Sequence, residues 1–454
     1  MKRKIFLLSV ICLFSGMVTA EDLMKIIGKE FQIFSEDRPR FIKPSNARFF
    51  RWTSEDKMSA RYPVHPNMRE KLTLLGEPVP EVIVRFKENK VSRIYISVYN
   101  RGDNQPISVA IFQKRTQELY NFLRTLYPGE RPVRLKEKLS DGMYVHAAVW
   151  RGKRFSCILK WSFSGKSGKS GKSGKFGNPE YLQLEFEPYD PANDPAKRSL
   201  VKADRTAIAA KKSLPENVRR EANGNIYISN IPMVDQGQKG YCVAAVLERV
   251  FLYYNIPVNQ HTLAQLCGTT ASGGTSVENM VKTLDDVSRK FGIRIHDEYN
   301  LFPGSSAISN LKKLVSSYNR LAKKARKKPV KMVIRNRMVY LDETIYGMDP
   351  ELYAKVRNGD ADFRKFQKIV IKNVQAGVPV IWCVMLGIMP EEKLSLQSKG
   401  GHMRLIIGFN EKNQEILYTD TWGIGHELKS MPIQYAWAIT NRLLYLLPRE
   451  RKMN

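Results

Sequence analysis

Val234-Asp235-Gln236-Gly237-Gln238-Lys239-Gly240-Tyr241-Cys242-Val243-Ala244-Ala245 joins a polar loop to an apolar segment, with one cysteine at the joint. Gly237 and Gly240 let the loop turn tightly and let a ligand come close to its backbone. Residues 243–255 (VAAVLERVFLYYN) are apolar apart from Glu248, Arg249 and Asn255, the pattern of a helix buried on most sides. Cys242 is therefore expected at a helix N-terminus. Free N–H groups and the positive end of the helix dipole favour a thiolate there, and the thiolate is the nucleophile. Gln236, in the same loop, carries an amide able to fold back toward an oxyanion. The same stretch also fits a buried, inert cysteine, a common state of free cysteines.

A nucleophilic thiolate needs a base, and the base needs a partner that orients it. Both stand in the last third of the chain. Residues 379–386 (PVIWCVML) form a continuous apolar run, read as a buried strand. Gly400-Gly401-His402 leads into 403–409 (MRLIIGF), and 415–418 (EILY) leads into Thr419-Asp420-Thr421-Trp422-Gly423. These two runs predict a hairpin with His402 at the beginning of one strand and Asp420 at the end of the other, which makes them neighbours. A carboxylate there fixes the imidazole tautomer and turns the other ring nitrogen toward a thiol. His261 and His426 are the rival bases, and neither has an evident carboxylate partner.

Between these segments, Thr262 to Leu266 reads as a short helix and Gly274-Thr275-Ser276 as a small-residue loop. Ser276 is placed to cap the next helix, with Asn279 where a capping box has Glu or Gln. Residues 311–337 carry Lys312, Lys313, Lys323, Lys324, Arg326, Lys327, Lys328, Lys331, Arg335 and Arg337 with no acid among them. That pattern fits a solvated helix face or an anion-binding surface.

The order of Gln, cysteine helix, histidine strand and Asp-Thr-Trp-Gly resembles papain-fold cysteine peptidases, in particular the bacteriocin-processing, C39-like branch. The elements that carry the resemblance are Gln236, Cys242, Ala244, Ala245, Leu263 to Leu266, Gly274-Thr275-Ser276, His402 with 405–407, Asp420 and Trp422-Gly423. Tyr241 stands where that branch often has Asp, and the basic insertion at about 304–370 departs from its compact pattern. The resemblance implies an α+β fold whose papain-like domain packs a catalytic N-terminal helix on an antiparallel sheet. It implies Cys242 as nucleophile, His402 as general base and then acid, Asp420 as its orienter, and Gln236 as an oxyanion donor beside the Cys242 backbone N–H. The implied activity is hydrolysis of peptide bonds in a peptide or protein substrate through an acyl-thioester, with no cofactor and no metal. Two alternatives remain open: another thiol acyl transfer (amidase, transpeptidase or transglutaminase-like), or an inactive cationic binding protein on the same fold.

Residues 1–20 (MKRKIFLLSVICLFSGMVTA) have a basic start, an apolar run and a small-residue end, the pattern of a secretory signal peptide. Export to a periplasmic or extracellular space is the expectation, and no later stretch is long and apolar enough to span a membrane. Residues 21–190 are expected to form a smaller α+β domain, with strands in 81–100, 143–150, 155–163 and 181–186 and a helix over 108–127. Four Ser-Gly-Lys repeats from Ser164 to Lys175 read as a cationic loop that cannot bury a core. His65 and His146 read as surface or packing residues. Residues 191–225 read as a basic linker with a helical piece over 201–212, and 226–450 as the peptidase domain. An inhibitory or targeting role for the first domain, with processing at Lys211-Lys212 or Arg219-Arg220, is a further expectation.

The formal charge of +30 predicts attraction to polyanions or anionic surfaces through the basic segments. No zinc-ligand spacing, stacking module or helix-turn-helix accompanies it, so specific nucleic-acid recognition is not expected. Cys157, Cys242, Cys267 and Cys383 are far apart; three buried thiols, or one Cys267–Cys383 disulfide, would leave Cys242 free.

Overall fold

The computed structural model describes residues 20–449 except 42, 64–66, 141, 165–176, 203–210, 238–239, 257, 271–273, 360 and 393–398. Residues 1–19 of the expected leader, His65, most of the Ser-Gly-Lys tract and the centre of the helix expected at 201–212 lie outside the described residues. Helices and antiparallel strands are mixed, and the expected α+β class holds. Among the described residues no helix is long and apolar enough to cross a membrane.

The first sheet has eight strands: β1 (Arg51–Trp52), β2 (Ser59–Tyr62), β3 (Glu81–Lys87), β4 (Lys90–Asn100), β5 (Val133–Ser140), β6 (Met143–Arg151), β7 (Phe155–Ser164) and β8 (Asn178–Pro188). Their order is β1-β2-β3-β4-β8-β7-β6-β5. Glu88 and Asn89, both at positive φ, make the tight turn between β3 and β4, as two-residue hairpin loops require. Helix α1 (Val109–Leu126) begins where Ser108 Oγ accepts the Ile111 N–H. It packs on β7 and β8. The sequence reading passes over β5, because only Leu139 in it is buried and its apolar pattern is thin.

The second sheet draws on both ends of the remaining chain. Its strands are β9 (Val218–Arg220), β10 (Asn225–Ile228), β11 (Ile293–Asn300), β14 (Val380–Leu386), β15 (Gly400–Asn410), β16 (Glu415–Thr419), β17 (Lys429–Pro432) and β18 (Thr440–Pro448), with β12 (Val333–Arg335) and β13 (Met338–Tyr340) forming a separate hairpin. The order is β9-β10-β15-β14-β18-β11, and β16 pairs with β15 and β17. β14 is buried along its whole length, as its unbroken apolar run requires. Within the stretch expected as a linker, Val218–Arg220 is a strand paired with β10, and Leu214 is buried.

Helix α2 (Cys242–Tyr253) packs against β15 and against α3 (Gln260–Leu266). Glu248 and Arg249, the apparent polar interruptions of α2, are themselves buried. The helix stops at Asn255, whose positive φ lets Ile256 N–H close back on the Phe251 carbonyl. Ser276 caps α4 (Val277–Val287) through the Asn279 N–H. The basic insertion folds as α5 (Ala307–Lys324), the β12–β13 hairpin, α6 (Leu341–Tyr346), α7 (Pro350–Asn358) and α8 (Asp362–Gln375). In α5 Leu311, Leu314, Tyr318 and Ala322 face the core while Lys312, Lys313, Lys323 and Lys324 face solvent.

Candidate active site

Cys242 is the first residue of α2 and is half-buried. His402 lies near the start of β15, on the strand against which α2 packs. The β15–β16 register pairs Leu405 with Thr419. Continued past the end of β16, it sets Asp420 opposite Arg404 and Trp422 opposite His402. Alternate residues of a strand share a face, so His402 and Arg404 both reach toward Asp420.

His402 Nε2 stands 2.6 Å from Asp420 Oδ1, with both side chains fully buried. On the carboxylate's other side, Arg404 Nε lies 2.8 Å from Asp420 Oδ2, and Arg404 Nη1 lies 2.7 Å from Glu391 Oε2. The Trp422 ring stacks on the imidazole, with centroids 4.4 Å apart and planes at 14°. Arg404 lies over the rings of Tyr418, Trp422 and Trp382.

Burial by itself would lower the His402 pKa, but the Asp420 carboxylate beside it and the neighbouring Cys242 raise it to about 9. Asp420 is shifted the other way: burial disfavours its charge, yet the imidazole, Arg404 and the Thr421 N–H hold it below the usual carboxylate range. Asp420 takes Nε2, which leaves His402 Nδ1 as the nitrogen available to the thiol. Nδ1 is buried.

Gln236 is pinned to the residue after Asp420. Its backbone N–H donates to the Thr421 carbonyl at 2.8 Å, and its Oε1 accepts from Thr421 Oγ1 at 2.5 Å. Arg249, reaching up from α2, donates to the Asp420 carbonyl at 2.6 Å, Thr419 Oγ1 at 2.7 Å and the Pro232 carbonyl at 2.9 Å. Burial pulls its pKa down to about 10 despite Asp420 nearby. The structure thus ties the loop of Gln236, the helix of Cys242 and the segment of Asp420 together at one place.

His261 is corrected on one point. Its Nε2 does have a carboxylate partner, Glu81 at 3.1 Å, and its Nδ1 meets Asn100 Nδ2. Both partners come from the first sheet, so this imidazole belongs to the seam between the sheets. Glu81, Asp103 and His261 come close enough to share a cation, but Arg61 Nη2 already stands 2.7 Å from Glu81 and both His261 nitrogens have protein partners. His426 lies edge-on to Trp422, and burial, then Lys429, lowers its pKa. His146 stacks on Trp161 in the first sheet. All four described cysteines are free; burial pushes the pKa of Cys157, Cys267 and Cys383 up and keeps them as thiols.

Sequence reasoning missed Arg404, Glu391, Arg249 and Thr421. Arg404 left the clearest signal, a lone charge in an apolar strand two residues after the histidine. Arg249 left a similar one in an otherwise apolar helix.

No curated protein sequence matches the chain. A solved structure of xylellain, a cysteine protease from Xylella fastidiosa, matches at 12% identity over 54% of this chain and 92% of that chain, with a TM-score of 0.20. A similarity that slight carries no argument. Residues 345–443 match the sequence model of the Peptidase C39 like family, a span that contains His402 and Asp420 and begins after Cys242. Through that span the chain is similar to the C39-like cysteine peptidases, the family its ordered motifs resemble.

Proposed function

We propose that this chain is an exported cysteine peptidase, built as a first α+β domain over 21–190 and a papain-like domain over 226–450, that cleaves peptide bonds through Cys242, His402 and Asp420. The observation that carries the reading is the imidazole of His402, held by Asp420 on Nε2 and drawn upward in pKa by Cys242 as well. A thiol nucleophile needs a base beside it, and the base needs an orienting partner.

In this reading the Cys242 sulfur attacks the scissile carbonyl, forming a C–S bond and an oxyanion that faces the Cys242 backbone N–H and the Gln236 amide. His402 gives its proton to the departing amine as the C–N bond breaks. Water then attacks the acyl-thioester, losing a proton to His402, and the acid leaves as the thiolate returns. Asp420 keeps one tautomer and one ring orientation throughout. The C39-like resemblance supports a peptide or protein substrate.

The test is alkylation of the protein by iodoacetamide from about pH 4 to 9, with the adduct mapped by mass spectrometry. Native protein, Cys242→Ala and His402→Ala are compared, and peptide hydrolysis is followed in parallel. The expected result is labelling at Cys242 that is slowed by loss of His402. Either substitution should lower hydrolysis by several orders of magnitude. Slow labelling of Cys242 that ignores His402 removes the enzyme reading, and product formation that depends on an added amine replaces hydrolysis by acyl transfer.

A further inference from the structure

The loop that precedes Cys242 is held from outside its own sheet. Arg61 of β2, almost wholly buried, donates from Nη1 to the Asp235 carbonyl at 2.6 Å. Arg51 of β1 reaches Asp235 Oδ2 at 2.7 Å. The carboxylate so held accepts the Gly237 N–H on Oδ1 at 2.7 Å, closing the turn on either side of Gln236. Gly237 has a φ of +69°, and a Cβ there would stand 2.2 Å from Arg61 Nη2. The arginine thus occupies the space a side chain would need.

A second anchor lies at the other end of the loop. Tyr241, fully buried and immediately before Cys242, donates its hydroxyl to Asn100 Oδ1 at 2.7 Å. A Cβ on Gly102 would stand 2.3 Å from that hydroxyl oxygen. A third contact sits beside the site. A Cβ on Gly423, next to Trp422, would stand 2.9 Å from Asp235 Oδ2 and 3.5 Å from the Thr53 carbonyl. Residues 51–102 thus meet Asp235 and Gly237 on either side of Gln236, Tyr241 before Cys242 and, at Thr53, Gly423 after Trp422.

We propose that the first sheet is a working part of the active site, with Arg61 as a positioning residue. Arg61, with Arg51 and Asn100, holds Asp235, Gly237 and Tyr241 so that the Gln236 amide and the Cys242 N–H converge on the oxyanion. The proposal rests on the cysteine-peptidase reading. It excludes a removable inhibitory domain: cutting at Lys211-Lys212 and removing the first domain would lower acyl transfer and not release it. A 1 Å misplacement of a catalytic donor costs about a hundredfold, and loss of one oxyanion donor about a hundred- to a thousandfold.

The experiment compares two reactions of the same thiol in the full chain. Iodoacetamide loses iodide from a saturated carbon and forms no oxyanion. p-Nitrophenyl acetate forms one: the sulfur attacks the ester carbonyl, the C–S bond forms, and the C–O bond breaks to release p-nitrophenolate. Arg61→Met is the direct variant. Asp235→Asn, which keeps the shape of the loop and weakens its hold on both arginines, carries the test if Arg61→Met does not fold. The expected result is acylation slowed by about a hundredfold or more, with Cys242 alkylation within about twofold of native. Unchanged acylation in a folded variant, or equal loss of both reactions, overturns the proposal. Native protein that is neither acylated nor alkylated early at Cys242 removes the cysteine-peptidase reading itself, whatever Arg61 does.

Discussion

Arg404 and Asp420 face each other across the end of the β15–β16 hairpin, Nε to Oδ2 at 2.8 Å, with both side chains wholly out of solvent. The carboxylate that orients His402 is thereby shared between an imidazole and a guanidinium. Arg404 also neutralises Glu391 at 2.7 Å. Arg404→Met is expected to lower stability by about 3 to 5 kcal/mol, since it strands buried carboxylates. Urea unfolding measures this, and a loss under about 1 kcal/mol would show that Arg404 holds no such charge network.

In the proposed reaction the protonation of His402 sets the alkaline side. With its pKa at about 9, kcat/KM for peptide hydrolysis should fall through about pH 9, as the imidazolium that protonates the leaving amine is lost. Asp420→Asn removes the charge that raises this pKa. Its alkaline limb should lie at lower pH, with a reduced maximum, and a limb that stays in place would assign the titration to another group.

The same pair makes stability depend on pH. His402 is raised in the folded protein from 6.5 to about 9. Its contribution is therefore fully present below 6.5 and is lost as pH rises through about 9, at most roughly 3 kcal/mol in all. Asp420, lowered from 3.8, contributes above that value and loses its contribution as pH falls below it. Thermal unfolding should show a plateau between these windows, and His402→Gln should flatten the alkaline slope.

Arg85 and Glu248 tie β3 to the helix of Cys242 at 2.5 Å, with the carboxylate buried. Lys114 and Glu118, on the exposed face of α1, stand 3.9 Å apart. Double-mutant cycles should give a coupling above about 1 kcal/mol for the first pair and below about 0.5 kcal/mol for the second. Equal couplings would mean that the seam between the sheets holds α2 no more firmly than a surface pair holds a helix.

The helix of Cys242 and the hairpin of His402 and Asp420 are legible in the sequence because their signals are local: periodicity, a glycine loop, two apolar runs with a short turn. The partners of these residues are less legible. Arg404 and Trp422 become neighbours of Asp420 and His402 only through a register, and a register follows from pairing that no single run of residues states. The contacts of Arg51 and Arg61 with Asp235 span more than 170 positions. Nothing in the composition of residues 51–61 marks them as facing a nucleophile loop. The arginine of α2 reads as an interruption of an apolar pattern, and only its three hydrogen-bond acceptors explain it.

Gln236 and Thr421 hydrogen-bond although 185 positions separate them. Contacts of such separation form late in folding, after the long loops between them have closed. The helix that carries Cys242 is local and can form early, but its sulfur has no imidazole beside it until β15 and β16 join the sheet. During refolding, helical signal should therefore return before the enhanced reactivity of Cys242. A chain stalled before that closure would lack the assembled Cys242–His402 pair on which the proposed chemistry depends.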